Sequence, residues 1–210
     1  MTAPADRQYT RNPPLLEADL LPDPLAQFRR WLEDARAVGM IYPTAMSLAT
    51  VDADGRPSVR MVLLKGVDQG FCFYTDSRSR KAQALAIHPQ AALSFWWDRL
   101  ERSVRVEGVV EKLPREMSEH YFQSRPHGSQ IGALTSHQSR VVASREALDA
   151  RLAENAARYV DGEVPCPQDW GGYRLRPQTI EFWQGRDNRV HDRLVYRCEG
   201  DGWRVERLEP

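Results

Sequence analysis

From Thr44 onward the apolar residues follow the two-residue period of strands, and short turn-forming runs cut the pattern into strand-length pieces. Ala45 to Val51, a turn at Asp52-Ala53-Asp54-Gly55 and Ser58 to Val67 read as a hairpin, with Gly70 to Thr75 as a third strand. Ala91 to Trp97 and Ser103 to Leu113 make another pair, broken at Asp98 to Glu101. The last strands fall near Tyr173 to Leu175, Thr179 to Gly185, Leu194 to Cys198 and Trp203 to Leu208. Strands joined by short turns, with helices inserted rather than alternating, predict a mainly β antiparallel barrel and not a doubly wound parallel sheet. No GxGxxG or GxxxxGKS turn is present, so the phosphate of any nucleotide-like cofactor must be held by side chains.

The helices are marked by their own signals. Asp23-Pro24 reads as N-cap and first helical residue, Leu25, Phe28, Trp31, Leu32 and Ala35 recur at helical spacing, and Gly39 ends the run. Ser77 to Ile87 is a short helix. Pro114 to Gln123 and Ser144 to Val160 are two more, with a loop between them carrying Ser129, Gln138 and Ser139. Residues 1–21 are polar and proline-punctuated and are expected to be mobile, and 22–210 to form a single domain whose helical insertion covers about 114–160.

A chain of 210 residues can bury its core without metal or disulfide staples. With 29 basic and 29 acidic residues there is no global field to draw it to nucleic acid or an anionic membrane, so an anion site must be local. Cys72, Cys166 and Cys198 form no CxxC pair and leave an odd thiol, which fits a reducing compartment. No signal-peptide core or membrane-length apolar run occurs, and a cytoplasmic location is expected.

The chemistry-bearing residues concentrate near the C-terminus. In Glu181-Phe182-Trp183-Gln184-Gly185, strand geometry puts Phe182 and Trp183 on opposite faces, and in the next strand Arg189, His191 and Arg193 share one face. A solvated charged hairpin is the ordinary reading of such a row. An indole beside a row of donors also suits a flat, anionic, heteroaromatic ligand. None of His120, His127 and His137 forms a metal-ligand spacing with His191, no metal is expected, and no GxSxG elbow is present. Arg60 and Lys65 bracket an apolar strand, and Arg80-Lys81 open a helix whose dipole adds to their charge. Five residues apart, Arg60 and Lys65 point to opposite faces of a regular strand, so either a bulge intervenes or they serve different ligands. Tyr121 and Arg125 are four apart on a helix that Pro126 ends, with Ser129 nearby.

Taken in order, Arg60-Met61-Val62-Leu63-Leu64-Lys65, Tyr74-Thr75, Ser79-Arg80-Lys81, Tyr121 to Pro126, Ser129-Gln130-Ile131-Gly132, Gln138-Ser139, Glu181 to Gly185 and Arg189 to Arg193 closely resemble the pyridoxamine 5′-phosphate oxidase family, from about Tyr9 onward. The resemblance implies a split Greek-key β-barrel with flanking helices, a homodimer, and FMN at the subunit interface. It assigns Arg60, Arg80 and Lys81 to the FMN phosphate, with Gln138 and Ser139 adding polar contacts. Met61, Val62, Leu63, Leu64, Lys65, Tyr74, Thr75, Ser103, Trp183 and Arg193 complete the cofactor set. Lys65, Tyr121, Arg125 and Ser129 fall to the substrate phosphate, and Arg189, Val190 and His191 to the substrate ring. Arg7, Gln8 and Tyr9 are expected to fold over the substrate, and Arg189, His191 and Arg193 to act in catalysis. The implied reaction oxidises pyridoxamine or pyridoxine 5′-phosphate to pyridoxal 5′-phosphate with O2 as acceptor, releasing hydrogen peroxide. The chain departs from the family pattern at Ser103, where glutamine is expected, and at Val190, where leucine is usual. Two rivals remain: a sibling flavin oxidase of a phenazine-pathway ring, which would lose the phosphate group of Lys65, Tyr121, Arg125 and Ser129, and a non-catalytic carrier of FMN or pyridoxal phosphate.

Overall fold

The computed structural model describes residues 12–160 and 162–210. Nine strands among them form one antiparallel sheet: β1 (Ala45–Val51), β2 (Pro57–Leu63), β3 (Gly66–Val67), β4 (Phe71–Asp76), β5 (Gln90–Trp97), β6 (Arg102–Lys112), β7 (Trp170–Gln184), β8 (Asp192–Glu199) and β9 (Gly202–Arg207). The path runs β2-β1-β5-β6-β7-β4-β3, with β8 and β9 continuing from the far half of β7. The sheet curls into a half-barrel. The mainly β antiparallel architecture expected from the turn pattern is present.

The inside of the curl is filled by α1 (Pro24–Ala37), capped by the Asp23 carboxylate on the N–H groups of Leu25 and Ala26. Phe28 is fully buried against Phe71 of β4 and Phe95 of β5, each with ring centroids 4.8 Å away. Burial of such a ring stabilises by about 1.5–3 kcal/mol. Trp31 meets Phe182 of β7 edge-on at 5.0 Å and carries the Arg102 guanidinium over its ring at 4.4 Å. One helix thereby ties β4, β5, β6 and β7 together.

Three strand expectations are corrected. The run from Ser58 to Val67 is not one strand: β2 stops at Leu63, Leu64 turns into the core, and the short β3 follows. That break removes the parity conflict between Arg60 and Lys65. Tyr173 to Leu175 and Thr179 to Gly185 are not two strands either. They belong to the continuous β7, and the residues read as a gap, Arg176-Pro177-Gln178, form a bulge where the register against β6 shifts at Glu107/Gly108. Proline is tolerated at a bulge because its missing N–H is not called on there. Gly108 is required opposite, since a Cβ would stand 2.0 Å from the Arg176 carbonyl oxygen. The third correction concerns Arg189, His191 and Arg193, which do not share a strand face. Asp187–Arg189 form a 3-10 turn, with Asn188 and Arg189 at φ of 55° and 64°, and only Arg193 lies within β8.

The helical parts are α2 (Arg80–Ile87), α3 (Arg115–Gln123), α4 (His127–Thr135) and α5 (Arg145–Arg158). The loop expected between the last two predicted helices contains α4, so Ser129 is helical. Residues 12–21, expected to be mobile, are tied down: Asn12 Nδ2 donates to the Leu100 carbonyl at 2.7 Å and the Leu15 N–H to Asp192 Oδ2 at 3.0 Å. Glu17 pairs with Arg207 at 2.8 Å, and Leu15 is buried. Arg7, Gln8 and Tyr9 lie outside the described residues. No helix among those described is long and apolar enough to cross a membrane.

Candidate active site

The curl brings β2, at one end of the strand order, toward β4 near the other, and a cavity of about 480 Å³ lies at this seam. Met61, Val62 and Leu63 line one side, Tyr74 and Thr75 another, with Lys65 and Lys81 between. The roof comes from the helical insertion through Tyr121, Arg125, Ser129 and Gly132.

Three of the lining rings are stacked. Tyr74 lies 4.0 Å from Tyr121 and 5.2 Å from Trp170, nearly parallel to both. Gly172, the ladder partner of Tyr74, permits this, because a Cβ there would meet the tyrosine ring at 2.7 Å. Burial first, and neighbouring ionisable groups second, push the Tyr74 phenol up to about 12, so it is a neutral donor. Arg125 follows α3 and lays its guanidinium over Trp170, 4.9 Å from the ring centroid. Its Nη1 is buried and has no hydrogen-bond partner among the described residues. A buried guanidinium N–H left this way costs free energy that an anion in the cavity would recover.

At the other end the polar groups are interlocked. Lys81 Nζ donates to Thr75 Oγ1 at 2.9 Å and to Gln138 Oε1 at 3.0 Å. The Arg80 N–H donates to Ser139 Oγ at 3.1 Å, with Ser139 at φ 68°. Behind them Arg60 donates to the Leu48 carbonyl at 2.8 Å and to Thr50 Oγ1 at 2.9 Å. Burial, and then the nearby Arg60 charge, lower the Lys81 pKa; burial and then Arg80 lower that of Arg60. These cations are held close together by the fold, and a polyanionic ligand relieves their repulsion.

A second cavity, about 460 Å³, lies on the outer face of the sheet. Register explains its lining: Trp96, Ser103, Trp183 and Arg193 face one another in consecutive strands β5 to β8. The Trp183 ring is 5.9 Å from Trp96 and 4.6 Å from His191. Buried Glu181 accepts from Arg193 Nε at 2.8 Å and from Arg105 Nη2 at 2.8 Å, which fixes both guanidinium groups and raises the Arg193 pKa. His191 Nδ1 accepts the Arg186 N–H at 3.1 Å, so the neutral ring carries its proton on Nε2. Burial, then Arg189, lower its pKa.

The residues singled out from the sequence therefore separate into two groups within one chain. Lys65, Tyr74, Thr75, Lys81, Tyr121, Arg125, Ser129 and Gln138 meet in the first cavity, while Ser103, Trp183, His191 and Arg193 meet in the second. Arg60, Arg80 and Ser139 stand just behind the first, Leu64 is in the core, and Arg189 and Val190 are exposed in the turn beside the second. Trp170 also lines the first cavity and Trp96, Arg105 and Glu181 the second, and none of the four is given a site role by the sequence. Trp170 lies between the helix and the strand read from the sequence, and the others acquire their places only through strand register.

In fold the chain is a split-barrel protein. It matches the crystal structure of PhzG from Burkholderia lata 383 in complex with tetrahydrophenazine-1-carboxylic acid at a TM-score of 0.88 and 31% identity, covering 93% of this chain and 98% of that one. A pyridoxamine 5′-phosphate oxidase-related, FMN binding protein from Nostoc punctiforme PCC 73102 shares the fold at a TM-score of 0.73 and 17% identity, over 88% of this chain and 96% of that one. The chain belongs to the pyridoxamine 5′-phosphate oxidase family: residues 32–158 match the family itself and residues 170–210 its pyridoxine 5′-phosphate oxidase C-terminal dimerisation region. Similar relatives are the pyridoxine/pyridoxamine 5′-phosphate oxidases of Thermosynechococcus vestitus, 55% identical over the whole of both chains, and of Rubrobacter xylanophilus, 53% identical over 97% of this chain and 94% of that one.

Proposed function

We propose that this chain oxidises pyridoxamine 5′-phosphate and pyridoxine 5′-phosphate to pyridoxal 5′-phosphate, using FMN and dioxygen. The observation that carries this reading is the buried Arg125 Nη1, without a hydrogen-bond partner among the described residues, in a cavity it shares with Lys65, Tyr121 and Ser129. A guanidinium fork, an ammonium, a phenol and a hydroxyl match a phosphate dianion. Lys81 and Arg60, crowded and partly desolvated, suit a second phosphate, that of FMN, with Thr75, Gln138, Arg80 and Ser139 holding them in place. FMN, when bound, supplies the two-electron acceptor that dioxygen regenerates.

The protein's own work is placement and charge. Ser103, Trp183 and Arg193, in the region matched as a dimerisation region or beside it in the sheet, would complete the cofactor site from the second subunit of a homodimer. His191 would face the polar edge of the substrate ring, with Arg189 and Val190 beside it. Arg193, fixed by Glu181, favours an electron-rich ring next to it. For the amine, R–CH2–NH2, O2 and H2O give R–CHO, NH3 and H2O2; for the alcohol, R–CH2OH and O2 give R–CHO and H2O2.

The likeness to PhzG keeps a sibling oxidase of another ring in view, yet a ring without phosphate would leave Arg125 unmatched. The test is direct. Purified protein should be yellow, should release FMN and not FAD, and should produce peroxide with pyridoxamine 5′-phosphate but far less with pyridoxamine. A protein that binds FMN without turnover would be a carrier, and equal rates with both amines would refute the phosphate assignment.

A further inference from the structure

We infer that Arg115, which lies outside both cavities, is a positioning residue that sets the substrate-phosphate site by clamping the loop ahead of Trp170. The inference rests on the phosphate reading of Arg125 given above. Arg115 is the first residue of α3, the helix that carries Tyr121 and leads into Arg125. Its guanidinium reaches back to the segment before β7. Nη2 donates to the Cys166 carbonyl at 2.8 Å, and Nη1 to those of Pro167 at 2.9 Å and Trp170 at 3.0 Å. Nε is held by Glu119 one turn along the same helix, at 2.7 Å.

A loop that presents several carbonyls to one fork is bound with a defined orientation, which a lysine ammonium cannot reproduce. The clamped residue is the one that matters. Trp170 is buried, its ring is stacked on Tyr74 and Tyr121 and meets Phe122 edge-on, and its outer face carries Arg125. Helix α3 and the residues just after it thus hold Trp170 twice: Arg115 grips its backbone from the N-terminal end, and Phe122, with Arg125 beyond the helix end, grips its ring from the other. A second tie, from the Gly172 N–H to Ser118 Oγ at 3.0 Å, anchors the middle of the helix to β7. With Ser118 in place, loss of Arg115 leaves the helix attached but lets the loop and the indole shift beneath Arg125. Most of the freed carbonyls are at the surface, where water replaces the lost donors, so the fold survives and the geometry of the anion site does not.

The experiment is a double-mutant cycle on FMN-loaded protein, with Arg115→Ala, Arg115→Lys, Arg125→Ala and the combined variants. It reads the dissociation constant of pyridoxal 5′-phosphate by equilibrium dialysis, KM and kcat for pyridoxamine 5′-phosphate, and the FMN dissociation constant. Both Arg115 variants should weaken pyridoxal 5′-phosphate binding by about three- to tenfold, in the range of couplings within one contact network, raise KM in parallel, and leave kcat and FMN affinity unchanged. In the Arg125→Ala background, removing Arg115 should have no further effect. Arg115 variants that bind like wild type, effects that multiply independently of Arg125, or an equal loss of FMN affinity would each overturn the inference. If Arg115→Ala does not fold, Arg115→Lys, which keeps the charge and the pairing with Glu119, carries the cycle. If Arg125→Ala itself binds pyridoxal 5′-phosphate as wild type does, the phosphate reading fails first.

Discussion

Replacing Arg125 by alanine should separate binding from stability in opposite directions. In the ligand-free protein the guanidinium gains from its position 4.9 Å over Trp170 and 5.7 Å from Phe122. A partly desolvated cation on an indole is worth about 0.5–2 kcal/mol. Against this stands the buried Nη1, without a partner among the described residues, which costs about 1–3 kcal/mol. The terms nearly cancel, so the free variant should unfold within about 1 kcal/mol of wild type, or later. With substrate the balance changes, because the unmatched N–H becomes a charge-assisted hydrogen bond worth about 1.5–3 kcal/mol. KM for pyridoxamine 5′-phosphate should then rise by roughly 10- to 150-fold. The phosphate does not change during oxidation, so its contacts are similar in ground and transition states and kcat should fall much less. Urea unfolding of the free protein and initial rates of peroxide formation on FMN-loaded enzyme measure the two halves. A variant destabilised by more than about 3 kcal/mol, the mark of a structural arginine, with KM unchanged, would refute the reasoning.

Lys81→Glu should weaken FMN retention, more so at low salt where screening is weakest, as equilibrium titration of the apoprotein at two ionic strengths will show. Ser103→Gln should tighten FMN by about 0.5–1.5 kcal/mol, the value of one hydrogen bond gained by the longer side chain; equal or weaker binding would mean that the face is built around serine. The pKa of His191 is lowered in the folded state, by burial and then by Arg189, from its usual 6.5. Its stabilising contribution is therefore present above that value and lost as pH falls through the folded pKa, so wild type should lose stability relative to His191→Gln on acidification; a relative gain would contradict the assignment. Finally, mixing Arg125→Ala subunits with Arg193→Ala subunits should restore activity, because in a two-fold dimer with shared sites about a quarter of all sites regain both arginines. No recovery after verified subunit exchange would place each whole site within one chain.

The strands, α1 and many of the residues that line the two cavities were legible because they depend on local pattern: period-two alternation, an Asp-Pro helix start, and ordered motifs. What escaped depends on tertiary packing. Helix α4 follows a proline, contains Gly128 and Gly132, and has no strong apolar stripe. It forms because Ile131 packs into the cluster of Phe122, Val164 and Trp170, which no window of local sequence contains. Similarly, Pro177 reads as a strand breaker until Gly108 on the neighbouring strand is seen to accept a bulge. Glu181 stood inside a quoted motif without a role, and its role appears only when register brings Arg105 and Arg193 to either side of it.

The division of the site follows from the same register. Met61, Ser47, Ser94, Arg105 and Glu181 face one another across β2, β1, β5, β6 and β7, on the outer side of the sheet. Four inter-strand steps place the first about 19 Å from the last along the sheet. Within one chain Arg193 and His191 line a different cavity from Lys81 and Arg125. Between the two groups the outer face carries small side chains, Ser47, Ala49, Ala92 and Ser94, bordered by exposed Val59, Met61, Leu63 and Trp96. Small residues let another backbone approach closely, and the exposed apolar border is the kind of surface that a partner covers. A second copy related by a two-fold axis would present its Arg193 side to the first chain's Lys81 side and the reverse. Dimerisation would then be the step that assembles the catalytic constellation, with each barrel stiff enough to hold half of it.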